Sequence, residues 1–351
     1  MKSYKVIGVM SGTSLDGVDL AFCDFHRDIK WHFNIQCAET IPYNENWSDR
    51  LSNLMDSDAA GITTVHIEYG RYLGGIIKEF ISRNKLYPDF IASHGHTVFH
   101  QPQKGYTLQI GDGNSIAAIT GLPVLFDFRS LDMALGGQGA PLVPIGDKLL
   151  FGNYDYCLNL GGISNISYEL QNKRIAFDIC PVNIVLNYLA RQKGLRFDAD
   201  GLMAAKGKLN TPLLNRLNKQ DYYDIKPPKS LGREWISANT LPAITFEKDI
   251  PENNLRTFTE HIAIQISNII NDLPHGEVLV TGGGAKNLFL IEILRSKVKS
   301  KIVIPDSLII DFKEAAVFAF LGVLRWRNEI NCLSSVTGAR RDSSCGLIVM
   351  G

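Results

Sequence analysis

The stretch MSGTSLDGVD, residues 10–19, decides the fold. A Val/Ile run over 5–9 leads into it and a second apolar run over 18–25 leads out. Between and around them lie Ser11, Gly12, Thr13, Ser14, Leu15, Asp16, Gly17, Val18 and Asp19. The pattern is strand, small polar turn, strand. Glycine lets the backbone turn tightly and lets a ligand approach its N–H groups. Successive N–H donors in a turn form an anion-binding nest, and the hydroxyls add donors for phosphate oxygens. Asp16 and Asp19 suit a hydrated Mg²⁺, which keeps several waters and takes few protein ligands. The same residues also make an ordinary capped turn. No lysine follows, so this is not the P-loop pattern.

The pattern returns later in the chain. YCLNLGGISNISYEL, residues 156–170, is again strand, glycine-rich turn, strand, with Gly161 and Gly162 at the turn. Further Val/Ile-rich runs, most ending in glycine or a small polar residue, alternate with stretches of helical spacing at 65–84, 183–193, 255–271 and 313–326. Alternation of this kind argues an α/β fold. Two halves that each open with a glycine/serine hairpin predict two related domains facing each other. Residues 138–147, QGAPLVPIGD, read as a junction between them, and 221–235, DYYDIKPPKSLGREW, as the most loop-like segment.

Composition narrows the function. The chain has 351 residues, is 45% hydrophobic and 21% charged, and carries a formal net charge of zero, which is no footprint for nucleic acid. The apolar run at the N-terminus breaks at Ser11-Gly12, too short for a signal h-region or a membrane span, so a cytoplasmic protein is expected. The six cysteines form no CxxC pair, and zinc spacing is absent. His94, His96 and His100 lie close together in SHGHTVFH, without an acidic or cysteine partner at metal-site spacing.

Three more motifs carry candidate chemistry. LVTGGGAKN, 279–287, places Gly282, Gly283 and Gly284 between a strand and a helical stretch, where open α/β sheets bind ligands. The alternative is a flexible loop. FDICPVN, 177–183, ends an apolar strand on Asp178, either a helix cap or a positioned base. In DFRSLDMALGGQGAP, Arg129 offers a planar fork to an anion, or pairs with Asp127 or Asp132.

With these motifs in order, and with SHGHTVFHQP, TLQIGDG, FDADG, GRE, KEAAVFAFLG and VTGARR between and after them, the chain resembles the anhydro-N-acetylmuramic acid kinase family over essentially its whole length. The resemblance implies two duplicated actin-like ATPase domains facing across a nucleotide cleft. The first would span 1–133 with 336–351 and the second 134–335. It implies opening of a 1,6-anhydro ring by water, coupled to transfer of the γ-phosphate of ATP to the sugar 6-oxygen, with Mg²⁺ near Asp16. Asp178 matches the general base. Phosphate contacts fall on 12–19 and on Gly161 and Gly162. Adenosine contacts fall on Gly282, Gly283, Gly284 and Asn287, and sugar contacts on Thr97, Arg129 and Glu314. A homodimer is implied as well. The chain departs from the family in three places; one is Ile145-Gly146-Asp147-Lys148 after PLVP, where the family often has an aromatic and a histidine. Phe-Asp-Thr-Gly-Pro-Gly-Asn is replaced by FDICPVN, so that Ile179, Cys180 and Val182 are expected to add bulk to the sugar pocket, and Gly-Gln-Thr by Gly95-His96-Thr97. The competing readings are a kinase of another anhydrosugar and a non-catalytic nucleotide-binding protein.

Overall fold

The computed structural model describes residues 2–12 and 15–351, so Thr13 and Ser14 lie outside the described residues. The chain forms two compact units, 1–151 with 312–351, and 152–311. These differ from the boundaries expected at 133/134 and 335/336, and packing gives the reason. In the first unit Gly146 lies against the side chain of Val317, and Lys313 pairs with Asp147 at 2.6 Å. The junction-like 138–147 and the helix after residue 312 therefore both belong to the first unit.

The first unit is built on a seven-stranded sheet. Strands β1 (Ser3–Ser11), β2 (Gly17–Arg27) and β3 (Trp31–Pro42) form an antiparallel meander. Strand β4 (Phe90–Gln101) returns parallel to β1 after the helix Ala59–Asn84. Strand β5 (Tyr106–Ile110) folds back on β4, and β6 (Val124–Phe126) lies parallel to β4 on its other side. Central β1 carries Val6, Ile7 and Val9 fully enclosed, as expected for a strand covered on both faces.

The second unit repeats the plan. Strands β7 (Tyr156–Leu160), β8 (Ile163–Leu170) and β9 (Lys173–Pro181) form the meander; β10 (Glu277–Thr281) is parallel to β7 and β11 (Lys301–Val303) parallel to β10. Its order, β11-β10-β7-β8-β9, matches β6-β4-β1-β2-β3 strand for strand and sense for sense. The duplication read from the two hairpins is thus a duplication of topology. Strand β12 (Leu347–Val349) closes the first sheet beside β6, antiparallel to it. Each unit has its own apolar core. No helix among the described residues is long and apolar enough to cross a membrane.

Candidate active site

In the first unit the glycine–serine turn joins β1 to β2. The described part of the turn is tight, with Leu15 N donating to Gly12 O at 3.5 Å and Leu15 at φ 59°. Gly17 packs so closely on the Ile41 carbonyl that a Cβ there would overlap it. Val18 is buried in the sheet. Asp16 is exposed, while Asp19, on β2, accepts from Thr40 Oγ1 at 2.6 Å. Below the turn, Ser11 Oγ bonds Tyr43 OH at 2.7 Å and His96 Nδ1 at 2.9 Å, and Tyr43 OH bonds Tyr69 OH. Burial pushes His96 down to about 4, so the imidazole is neutral.

The sugar-side candidates of this unit are held by close neighbours, one of them from the SHGHTVFH histidine cluster. Arg129 donates to His94 Nε2 from Nε (3.1 Å) and Nη2 (2.9 Å), and to Gly139 O from Nη1 (2.6 Å). With Nε2 accepting, His94 carries its proton on Nδ1 and donates it to Gly95 O at 2.8 Å. Burial and then Arg129 hold His94 well below the usual imidazole range. The expected alternative partners of Arg129 are engaged elsewhere. Asp132 accepts from Thr337 Oγ1, Cys332 Sγ and Gly139 N, and Asp127 from Ser130. Thr97 Oγ1 accepts from Gln109 Nε2 at 3.3 Å. Glu314 reaches solvent yet is hemmed in by protein: desolvation raises its carboxyl, Lys313 and Arg129 lower it, and Asp19 and Asp147 raise it. Asp19, Arg129 and Glu314 thus share one electrostatic environment.

In the second unit the Gly161–Gly162 turn, the glycine triplet and Asn183 meet at one sheet edge. Gly161 O accepts from Asn183 N, and Gly162 O from Val182 N and Ile184 N. Asn183 Nδ2 donates to Leu160 O at 3.0 Å. Gly282, at φ 81°, and Gly284 sit so close to Leu160 that a Cβ on either would collide with it. A bare backbone is therefore required there. Asn287 caps the helix Leu288–Lys297, its Oδ1 accepting from Leu290 N at 3.0 Å.

Asp178 lies on β9 opposite Asn165, where a bulge interrupts the pairing with β8. Bulges re-aim side chains and recur beside active sites. Its Oδ2 accepts one backbone bond, from Leu231 N at 2.9 Å, and its carbonyl takes Tyr222 OH at 2.7 Å. Asp178 N donates to Lys229 O at 3.2 Å. No cation pairs with the carboxylate among the described residues. Burial pushes it up to about 6, against the lowering effect of the Leu231 N–H. The loop-like 221–235 is thus what positions Asp178. Its paired prolines, which keep the chain extended rather than helical, were the available signal.

One expectation is corrected. Ile179, Cys180 and Val182 do not protrude into an open pocket; they are 2%, 0% and 0% exposed, within the apolar core of the second unit. Val182 has φ −130°, a conformation that does not demand glycine. The histidine cluster is also accounted for: His94 serves Arg129, His96 serves Ser11, and His100 Nδ1 bonds Thr107 Oγ1. No group of three or more potential metal ligands occurs among the described residues.

A family model described as anhydro-N-acetylmuramic acid kinase matches residues 4–351. The chain belongs to the anhydro-N-acetylmuramic acid kinase family. It is 35% identical to the Haemophilus influenzae anhydro-N-acetylmuramic acid kinase over 99% of this chain and 98% of that protein. It is 36% identical to the Mannheimia succiniciproducens enzyme of the same name over 99% of each. Among solved structures, the activator of the 2-hydroxyisocaproyl-CoA dehydratase from Clostridium difficile with bound ADPNP is similar at a TM-score of 0.46 and 11% identity, over 92% of this chain and 97% of that one.

Proposed function

We propose that the protein is an ATP-dependent kinase that opens 1,6-anhydro-N-acetylmuramic acid with water and phosphorylates its 6-oxygen, giving N-acetylmuramic acid 6-phosphate and ADP in cell-wall recycling. The observation that carries the chemistry is the Asp178 carboxylate, unpaired with any cation among the described residues and ionising at about 6. A general base works best when its pKa lies near the operating pH. Asp178 takes a proton from the water that attacks the anomeric carbon. The C1–O6 bond breaks, and the released 6-oxygen accepts the γ-phosphate. Much of the remaining work of phosphoryl transfer is positioning and charge stabilisation. Phosphate contacts are assigned to residues 12–19 and to Gly161 and Gly162, and adenosine contacts to 282–284 with Asn287. Thr97, Arg129 and Glu314 face the sugar, Arg129 taking its carboxylate.

Asp16 and Asp19 supply hard oxygen donors next to the phosphate turn, a set that suits Mg²⁺, which needs only one or two carboxylates besides phosphate and water. Magnesium would there neutralise charge on the phosphates. A cytoplasmic homodimer completes the reading, its oligomeric state accessible to light scattering. The deciding experiment is the mass of the product. A muramic product heavier than the anhydrosugar by one phosphate and one water, formed with ADP, supports the reading; ADP formation only with another sugar refutes it. Asp178→Asn is expected to lower kcat on the order of 10²–10⁴-fold with ATP affinity retained. Loss of ATP binding in that variant would make Asp178 structural.

A further inference from the structure

A cavity of about 170 Å³ opens in the first unit, just beyond the last bridges between β4 and β6. A single water needs only roughly 10–15 Å³ by this measure, so the space is sized for a larger group. Ser93 is on its wall, 1% exposed, and its Oγ has no hydrogen-bond partner among the described residues. An unpaired buried hydroxyl costs stability, and sequence alternatives such as alanine would avoid that cost. His66 is on the wall too. Its Nδ1 accepts from Gly111 N at 3.2 Å, so the proton of the neutral ring sits on Nε2, which has no partner among the described residues.

The lining selects the occupant. No lysine or arginine among the described residues lines the cavity, and the Asp127 carboxylate on its wall disfavours an anion. Ser93 and His66 supply donors. Asp127 supplies an acceptor, and Leu108, Ile110 and Phe126 add apolar surface. That set matches a neutral group with a carbonyl, an N–H and a methyl. The cavity is also tied to the sugar-side candidates: its wall residue Gln109 bonds Thr97, and its wall residue His94 holds Arg129.

We infer that this cavity, through Ser93 and His66, receives the acetamido group of the anhydrosugar acceptor while Arg129 takes its carboxylate. The inference rests on the anhydrosugar kinase reading. It makes Ser93 and His66 specificity-determining residues for N-acetylated acceptors.

The test compares the wild type with Ser93→Ala and His66→Asn, the latter retaining an acceptor for Gly111 N. The acceptors are 1,6-anhydro-N-acetylmuramic acid and its N-deacetylated amine. Each variant is expected to raise KM for the acetylated acceptor roughly three- to tenfold, the value of a hydrogen bond. Neither is expected to change kcat or KM for the amine appreciably. Ligand-free Ser93→Ala is expected to melt no lower than the wild type, which shows that its defect is not one of folding. Unchanged KM for the acetylated acceptor in both variants would make the cavity a water site and overturn the inference while leaving the kinase reading intact. Equal effects on both acceptors would also overturn it. A wild type that neither binds nor phosphorylates the acetylated sugar would overturn both.

Discussion

Beneath the turn that joins β1 to β2, a single hydroxyl joins two elements. Ser11 ends β1, and its Oγ links His96 of β4 to Tyr43 and through it to Tyr69. The network is buried, so each lost partner matters more than on the surface. His96→Leu is expected to cost about 1–3 kcal/mol in denaturant unfolding and to raise KM for ATP, because Gly12 follows Ser11 directly. His96→Gln, which restores a polar partner, is expected to recover most of both. A leucine variant with unchanged KM for ATP would detach the network from the turn. At this scale the sequence marked Asp178 and Arg129 as candidates because strand ends and motif order point at them. Their supports were less legible: the Leu231 N–H and the Tyr222 hydroxyl reach Asp178 only through the fold, and His94, noted in its cluster, was not linked to Arg129. The burial of Ile179, Cys180 and Val182 was equally hidden, since side-chain direction on a bulged strand does not follow simple alternation.

The helix Ser307–Trp326 shows what an element adds. Its portion in the first unit lies almost against the sheet: a Cβ on Gly8 would overlap the Ala315 carbonyl oxygen, and one on Gly322 would crowd Ala92. Gly8→Val is expected to unfold the protein or cost several times the usual ~1 kcal/mol of a point change, since the obstructing atom is backbone and cannot rotate away. Near-wild-type stability of that variant would mean the helix stands off the sheet. The same helix carries Lys313, 6% exposed, paired with Asp147, 5% exposed. Lys313→Met removes the ammonium that pairs with Asp147 in a buried setting and is expected to cost up to about 3–5 kcal/mol. Adding Asp147→Leu should restore much of it, a recovery that a denaturant double-mutant cycle measures directly. Helix existence was legible from apolar spacing, but their starts were not. The helices expected from 65 and 255 begin at Ala59 and Pro251, where the Asp58 carboxylate caps Gly61 N and a proline occupies the first turn.

For the whole molecule, acid stability follows from buried neutral histidines. His96 is held down to about 4 and His261 to about 3 by burial, and His94 well below its ordinary value by burial and then Arg129. His261 is enclosed by Tyr223 OH and Asn218 Oδ1. Unfolding frees these rings to take up protons near the ordinary imidazole value of about 6.5. Their contribution is therefore fully present above pH 6.5 and lost as pH falls toward their folded values. Asp178 acts in the opposite sense: its raised pKa means its contribution is present below the ordinary carboxylate range and lost as pH rises through about 6. His66 and His100 are likewise lowered by burial, and Glu314, raised by desolvation, acts with Asp178; with five rings against two carboxylates, Tm is expected to fall from pH 6.5 to pH 4. A flat Tm across that window would show the histidines to be solvated. For activity, kcat/KM should rise with pH through an acid limb near 6, as Asp178 ionises.

The second unit is a continuous segment, 152–311, whereas the first is assembled from 1–151 and 312–351. The late segment supplies fully enclosed side chains, including Val317, Phe318 and Phe320, and β12 at the sheet edge. On the ribosome, therefore, the half that is made first is finished last. The segment 152–311 emerges whole and has its own core to collapse around. The amino-terminal sheet must wait, with the surface that will receive Phe318 uncovered, until the last forty residues leave the exit tunnel. Chains truncated after residue 311 and released from the ribosome should accordingly resist protease in the later-made half and be cut in the earlier one.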